Sequence, residues 1–403
     1  MSRILYLDPP RERPIGTPAR EPRVFHRALG VKPTPLLALP ALAARLGVAH
    51  LDVKLETDRL GLPSFKVMGA SWATVEALRP LLPKRWSPEQ GLSSLAGRLP
   101  ELTLVAATDG NHGRALARVA RMLGVRCLIF VPESLSDGRV ASIAAEGADV
   151  VTVPGNYDDA VTRSAGEATR QRHVLVSDTS WQGYERVPAA VIDGYATILW
   201  EVEEQLTSAG RFPPDLVLVQ LGVGSFGAAV IRQFRRLGKR SPRIVGVEAA
   251  QAACVMASLA AGKRVSVPGP HRSVMAGLNC GTPSLIAWPL LRNGLDAVLA
   301  MTDERAIQGV RTLAATGVAV GECSGVVVEA ASELLTGPYA GMHRGRLGLP
   351  GDASVLLFAT EGVTDEVAHA RSVKTTQPGE PTADRRRGAA GVNGPTSDAA
   401  AGG

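Results

Sequence analysis

Three polar side chains have the types and positions of groups that do chemistry together. Lys66 precedes a run of small residues in the stretch GLPSFKVMGA, residues 61–70. Asp109 and Asp178 each follow a short aliphatic run that is typical of a strand. An amine held in a pocket can bond covalently to a carbonyl compound, and nearby carboxylates can accept or hold protons. Taken one at a time, each residue also fits a plainer interpretation, a solvated lysine or a turn-forming aspartate.

The glycine-rich turn LGVGSFGAAV, residues 221–230, predicts a phosphate-binding site. Its glycines have G-x-G-x-x-G spacing between a predicted strand and a predicted helix, so the backbone can approach a phosphate at a helix N-terminus. A dinucleotide, a mononucleotide or another phosphorylated cofactor would satisfy this pattern, and so would a tight turn that binds nothing. Glu248 ends the next predicted strand, where a ribose-binding acid would be expected, but closing a turn is the simpler interpretation. The candidate phosphate-binding residues are Gly222, Val223, Gly224, Ser225, Phe226 and Gly227.

Pyridoxal phosphate is the phosphorylated cofactor that gives all of these groups a role. Lys66 would form a Schiff base with its aldehyde, and the ring would then serve as an electron sink. Asn111, shortly after a predicted strand, is the candidate partner of the ring hydroxyl. Thr360, at the end of the last predicted strand, is the candidate partner of the ring nitrogen. A hydroxyl there would leave the ring nitrogen unprotonated, which favours elimination over transamination.

The elements that must position these groups alternate along the chain. Helical patterns separate strand-like runs at residues 102–110, 126–133, 149–155, 173–178, 215–222, 243–249 and 354–362. Such alternation predicts an α/β fold with a parallel sheet built from βαβ units. Ligands of such sheets bind beyond the carboxyl ends of the strands, where the candidate residues lie.

Composition excludes several classes of function. The net charge of +6 is mild and no basic, aromatic-interleaved face is present, so we expect no nucleic-acid partner. Four scattered cysteines without a C-x-x-C pair argue against a zinc site and a disulfide framework. No apolar run reaches the roughly 18 residues of a membrane span, and no apolar signal core is seen. The expectation is a cytoplasmic enzyme with no bound metal and no membrane contact.

Several longer phrases of the sequence carry a family resemblance. They are RLGLPSFKVMGASWA (59–73), ATDGNHGRALA (107–117), SDTSWQGYE (177–185), MAGLNCGTPS (275–284), GECSG (321–325) and ATEGVTD (359–365). Together they resemble diaminopropionate ammonia-lyase, of the tryptophan-synthase-β type (fold type II) of pyridoxal-phosphate enzymes. Serine/threonine dehydratases, the close alternative, resemble the chain more loosely. They typically have S-x-G-N where this chain has T-D-G-N, residues 108–111.

The resemblance implies a two-domain fold type II enzyme, with twisted, mainly parallel sheets and helices on both faces. The expected domains are a large cofactor-binding domain of residues 24–100 and 190–371 and a small domain of residues 101–189. Residues 1–23 would be a flexible arm and residues 372–403 a disordered tail. A homodimer is the implied assembly.

The resemblance also implies a reaction, the α,β-elimination of D- or L-2,3-diaminopropionate to pyruvate and ammonia. Lys66 would remove the α-proton of the L-isomer and Asp109 that of the D-isomer. Either Asp109 or Asp178 would hold the leaving ammonium by a charge-assisted hydrogen bond. Two remoter alternatives stay open: a nicotinamide-dependent oxidoreductase that leaves Lys66 without a role, and a non-catalytic relative that only binds the cofactor.

Overall fold

The computed structural model describes residues 3–7 and 18–373 of the chain. Its strands are β1 (Arg3–Tyr6), β2 (Leu36–Ala38), β3 (His50–Leu55), β4 (Thr103–Ala107), β5 (Arg126–Pro132), β6 (Asp149–Val153), β7 (His173–Leu175), β8 (Leu216–Gln220), β9 (Arg243–Ala249), β10 (Ala297–Met301) and β11 (Ser354–Ala359). Its α-helices are α1 (Glu21–Ala28), α2 (Pro40–Leu46), α3 (Lys66–Leu78), α4 (Asn111–Leu123), α5 (Asp137–Ala144), α6 (Tyr157–Glu167), α7 (Arg186–Ser208), α8 (Ser225–Arg235), α9 (Cys254–Ala261), α10 (Trp288–Gly294), α11 (Asp303–Ala314), α12 (Glu322–Thr336), α13 (Ala340–Leu347) and α14 (Glu366–Val373).

The strands form two sheets. The larger sheet has seven strands in the order β1-β10-β9-β8-β11-β3-β2, and the smaller has four in the order β6-β5-β4-β7. Only the outermost pairs of the larger sheet, β1 with β10 and β2 with β3, are antiparallel. Parallel strands joined by helices are the geometry that alternating strand and helix patterns predict.

Helices cover both faces of each sheet, because alternate strand residues enter different apolar clusters. In β8, Leu216 and Leu218 pack with α2, α11 and α12, whereas Val217 and Val219 pack with α3, α7 and α8. In the smaller sheet α4 and α5 cover one face and α6 covers the other. Strands buried on both faces read as continuous hydrophobic runs, as the central strands here do. The predicted fold class is confirmed.

Four strands were not among the predicted ones. Arg3–Tyr6 of the expected flexible arm forms β1, an edge strand paired with β10. The strand β3, HLDVKL, carries two charges that are unusual in a buried strand, and β2 has only three residues. The strand β10, AVLAM, is as long as β4, which was predicted, so its length does not explain the omission. Residues 8–17 of the expected arm and residues 374–403 of the expected tail lie outside the described residues.

The candidate residues follow strands of both sheets. Asp109 and Asp178 come shortly after β4 and β7 of the smaller sheet, whereas Gly222 and Thr360 come shortly after β8 and β11 of the larger one. Lys66 is the first residue of α3. The carboxyl ends of the two sheets therefore supply opposite walls of one site. Across residues 3–7 and 18–373, no helix has the length and apolar character needed to cross a bilayer.

Candidate active site

Lys66 is held in place by the close packing of α3 on α7. A Cβ atom added at Gly69 would lie 2.6 Å from the Tyr195 ring, and one at Gly194 would lie 2.4 Å from the carbonyl oxygen of Met68. Glycine at these two positions lets the two helix backbones approach within a distance that any side chain would prevent. The first turn of α3, and with it the Lys66 backbone, is therefore fixed against the core.

The Lys66 amine makes a short ion pair with Asp178. Lys66 Nζ donates to Asp178 Oδ2 at 2.8 Å, and the two side chains are 18% and 8% exposed. The second carboxylate oxygen, Oδ1, accepts from the Tyr157 hydroxyl at 3.0 Å. The Ser225 hydroxyl donates to the Asp178 carbonyl oxygen at 2.7 Å, which ties this loop to the glycine turn. The segments that follow β7 and β8 and the first residue of α3 thus meet at one charged cluster.

The two aspartates have opposite electrostatic environments. Burial alone would raise the pKa of Asp178, but the Lys66 ammonium holds it well below its ordinary value. Burial raises the pKa of Asp109 to about 6, and the Lys66 ammonium opposes this shift without cancelling it. Burial lowers the pKa of Lys66, but the charge of Asp178 outweighs it and the net shift is well upward. Asp178 is therefore a fixed negative charge, whereas Asp109 can exchange a proton near neutral pH.

One cavity brings together nearly all of the candidate residues. Its walls include Lys66, Asp109, Asn111, Asp178, Gly222, Val223, Gly224, Ser225, Phe226 and Thr360. Gly227 is the exception: a Cβ there would lie 2.4 Å from Leu221 Cδ2, so this glycine serves helix–strand packing and does not line the cavity. A second cavity of about 570 Å³ shares Asp109 and Tyr157 with the first. It gives a small molecule room beside the Asp109 side chain.

The glycine turn fits a phosphate group. Gly224 has φ +93°, a left-handed conformation that favours glycine, and a Cβ there would lie 2.4 Å from Leu291 Cδ1. A Cβ at Gly222 would lie 2.9 Å from the carbonyl oxygen of Gly277. The first amides of any α-helix have no intrahelical acceptor, and no side chain caps those of α8, so they are available to an anion. A lysine, a phosphate cradle and polar groups between them suit a phosphorylated aldehyde.

Comparison with known protein families shows which family the chain belongs to. Residues 27–344 match the family described as "Pyridoxal-phosphate dependent enzyme". The chain belongs to this family. Membership of a pyridoxal-phosphate family contradicts the nicotinamide-dependent oxidoreductase alternative, which left Lys66 without a role.

Over most of its length the chain is similar to diaminopropionate ammonia-lyases. It is 34% identical over 366 residues to the diaminopropionate ammonia-lyase of Salmonella typhimurium, covering 87% of this chain and 90% of the relative. A crystal structure of the Escherichia coli diaminopropionate ammonia-lyase with an aminoacrylate-PLP azomethine reaction intermediate has a TM-score of 0.84 at 30% identity, covering 93% and 97% of the two chains. An L-threonine ammonia-lyase of Geobacter sulfurreducens is 29% identical over only 50% of this chain. The resemblance inferred from the motifs is confirmed.

Besides Cys280, four further residues with polar side chains line the cavity that contains Lys66, which we call the cofactor cavity, and were not assigned from the sequence. They are Tyr157, Gln220, Cys323 and Glu361. A signal for two of them existed, because Tyr157 follows the predicted strand DVVTVPG and Glu361 directly follows Thr360. The other two were not recognisable: Gln220 lies inside a strand and Cys323 in a helix, where sequence does not say which way a side chain faces.

Glu248 has the plainer of its two proposed roles. Its carboxylate is fully buried and accepts from the backbone N–H groups of Val255 and Met256 at 2.7 and 2.8 Å. It therefore caps the first turn of α9, as the turn interpretation expected. Burial raises its pKa to about 8.

Proposed function

We propose that this enzyme catalyses the α,β-elimination of 2,3-diaminopropionate to pyruvate and ammonia. The observation that carries the proposal is the pair of carboxylates beside the Lys66 amine, of which Asp178 stays ionised and Asp109 titrates near pH 6. A substrate with a second amino group brings a second positive charge into the site. A hydroxyl substrate such as serine brings none, so it has no need of a fixed anion.

The residues that would hold pyridoxal phosphate divide into three groups. Lys66 would hold it covalently through Nζ, the turn 222–226 and the N-terminus of α8 would hold its phosphate, and Asn111 and Thr360 would contact its ring. When bound, the cofactor supplies an electron sink for the charge that develops at the α-carbon. The protein's part is to position the substrate and to move protons.

Two groups of this chain can remove the α-proton. Once Lys66 Nζ is neutral it can act as a base, and the ionised Asp178 carboxylate, 2.8 Å away, stabilises the ammonium that forms when Nζ takes up the proton. Asp109 is mostly ionised at neutral pH, since its pKa is about 6, and it can serve as a second base. We propose that Lys66 acts on the L-isomer and Asp109 on the D-isomer.

Asp178 is the better of the two carboxylates for the leaving group. Its low pKa reflects a cationic neighbour, which is the Lys66 ammonium in this structure. The β-ammonium of diaminopropionate carries the same charge and can replace that neighbour, with Tyr157 still donating to the other oxygen. Serine or threonine would leave the Asp178 carboxylate buried without a cation, which is unfavourable.

Side-by-side measurement of pyruvate or 2-oxobutyrate release from D- and L-diaminopropionate, serine and threonine tests the substrate. We expect diaminopropionate to be turned over fastest. Borohydride reduction should bleach the visible band of the bound cofactor and leave the adduct on Lys66. Faster turnover of serine or threonine would defeat the substrate assignment and favour the dehydratase alternative.

We also propose that the enzyme is a cytoplasmic homodimer whose chain divides into the large domain 24–100 and 190–371 and the small domain 101–189. All four cysteines lie in the described residues as free, buried thiols, which is compatible with a reducing compartment. Each proposed domain has a sheet of its own, which supports the division. Light scattering of the purified enzyme would give the mass, and a monomer would contradict the assembly.

A further inference from the structure

Glu361 is a buried carboxylate that contacts a cofactor-binding candidate. It is 1% exposed and lines the cofactor cavity beside Thr360. Its Oε2 accepts from Asn111 Nδ2 at 2.6 Å, across the space between the two sheets. This hydrogen bond links Asn111, the candidate partner of the ring hydroxyl, to the residues that follow β11 in the larger sheet.

The backbone of Glu361 is clamped from several directions. The Ser324 hydroxyl both donates to its carbonyl oxygen and accepts from its N–H, each at 2.8 Å. The N–H of Cys323, in the first turn of α12, donates to Oε1 at 3.3 Å. A Cβ at Gly321 would lie 2.7 Å from Oε1, so that glycine leaves room for the carboxylate. The helix N-terminus and these contacts fix the carboxylate in one position.

A buried arginine balances the charge of Glu361. Arg139 is 7% exposed and lies against the loop that carries Asp109 and Asn111, with NH1 3.2 Å from where a Cβ at Gly110 would be. Glu361 is the first of the acids whose charge stabilises this guanidinium, ahead of Asp109. Arg139 thus contributes a positive charge that acts on the Glu361 carboxylate, the acceptor of the Asn111 hydrogen bond.

We propose that Glu361 is a positioning residue for the cofactor ring and acts through Asn111. An amide group has two N–H donors, and the donation to Glu361 uses one and fixes which end of the amide is nitrogen. The other N–H is then held toward the cavity, in the orientation that a ring oxygen requires. Without this carboxylate the Asn111 amide could rotate or flip, so that its carbonyl oxygen faced the cavity. The inference rests on the proposed role of Asn111 toward pyridoxal phosphate.

Glu248 provides the matched control within the same chain. It too is a fully buried carboxylate that follows a strand and accepts N–H groups at the start of a helix, but it does not line the cofactor cavity. Glu248→Gln and Glu361→Gln therefore make the same replacement, a carboxyl by an amide, at the same kind of helix terminus. A purely structural role for Glu361 predicts that the two variants behave alike.

The experiment measures the dissociation constant of pyridoxal phosphate and the absorption maximum of the bound cofactor. We expect E361Q to weaken cofactor binding by about tenfold, the size of a charge-assisted hydrogen bond lost, and to shift the maximum. E248Q should leave both unchanged while lowering the melting temperature. In the N111A background, E361Q should have no further effect on either quantity. Equal losses in the presence and absence of Asn111, or a change in melting temperature alone, would overturn the proposal.

The exchanged pair N111D/E361Q separates positioning from folding. N111D alone places two carboxylates in contact and should be destabilised. Adding E361Q restores a hydrogen bond, so the melting temperature should recover, but cofactor binding should stay weak because a carboxylate at position 111 has no N–H to offer. Wild-type affinity in the exchanged pair would contradict the proposal. A wild-type enzyme that binds cofactor but releases no pyruvate from diaminopropionate would defeat the substrate assignment and leave this inference standing.

Discussion

Two lysines of the enzyme, the buried Lys54 and the partly buried Lys66, are paired with acids at the same distance but have different surroundings. Lys54 Nζ, which is 0% exposed, donates to Glu201 at 2.8 Å, to the Thr34 carbonyl oxygen at 2.8 Å and to Gln205 Oε1 at 3.0 Å. Its three donors are thereby all used. Arg59 donates to the same Glu201 carboxylate, so the cluster is a closed network.

Lys66 makes one side-chain hydrogen bond, to Asp178 at 2.8 Å, and its amine faces a cavity. Burial lowers the pKa of Lys54 and its acidic neighbours only partly restore it, whereas for Lys66 the acids outweigh burial. The comparison shows that burial and an acidic partner do not mark a reactive amine. What marks it is unused bonding capacity directed at space that a ligand can enter.

The largest difference between the two lysines should appear on removal of the amine. K66A should lower pyruvate release by at least about 10³-fold, because the covalent attachment point and a general base are lost together. The visible band of the bound cofactor should also be absent. K54M is the matched control and should keep that band. A coloured, active K66A enzyme would show that the wrong lysine has been assigned.

The next largest difference should appear on removal of the acidic partners of the two lysines, Asp178 and Glu201. D178N should lower diaminopropionate turnover by about 10²–10⁴-fold, because the fixed charge that holds the leaving ammonium is removed. Its residual activity toward serine should fall much less, so the ratio of kcat/KM for the two substrates would change. E201Q, in the Lys54 cluster, should leave this ratio unchanged. A D178N enzyme with the wild-type ratio would remove Asp178 from substrate recognition.

Substitutions in the closed network around Lys54 should lower the stability of the fold. K54M leaves a buried acid without one of its cations, and breaking such a pair costs about 3–5 kcal/mol of unfolding free energy. Chemical denaturation monitored by tryptophan fluorescence would measure the loss. At temperatures where K54M remains folded, its cofactor affinity should equal that of the wild type. A K54M variant that is stable but loses cofactor would reverse the interpretation of this cluster.

Sequence alone could single out Lys66 as a candidate but could not interpret Lys54. The two lysines have similar apolar neighbours, and only the motif around Lys66 and the strand-end rule for Asp109 and Asp178 set one apart. The partner that satisfies Lys54, Glu201, lies 147 residues away on α7, a separation that no local pattern reports. For the same reason β3 was missed, since its charges read as solvated until Glu201 pairs with Lys54 and Arg211 pairs with Asp52. The role proposed for Glu361 also depends on its contact with Asn111, the first residue of α4, which lies 250 residues away in the sequence.

The smallest expected effect is a pH dependence confined to the Lys66 cluster. Asp109 has a pKa of about 6, raised by burial, and faces Lys66, Asp178 and Arg139. As a base it must be ionised, so kcat/KM for D-diaminopropionate should fall about tenfold per pH unit below 6, and the ratio of D- to L-turnover should fall with it. D109N should abolish this limb together with most D-isomer activity.

The same carboxyl should affect stability in the opposite direction. Between its ordinary pKa and about 6, the folded chain holds a proton at Asp109 that the unfolded chain has released. The contribution of Asp109 to the free energy of unfolding is therefore fully present at low pH and is lost as the pH rises through 6. D109N should remove this slope from the denaturation profile, whereas a variant of the Lys54 network should retain it. D-isomer activity that rose with pH while the wild-type and D109N slopes coincided would show that another group titrates near 6, and that Asp109 is not the base.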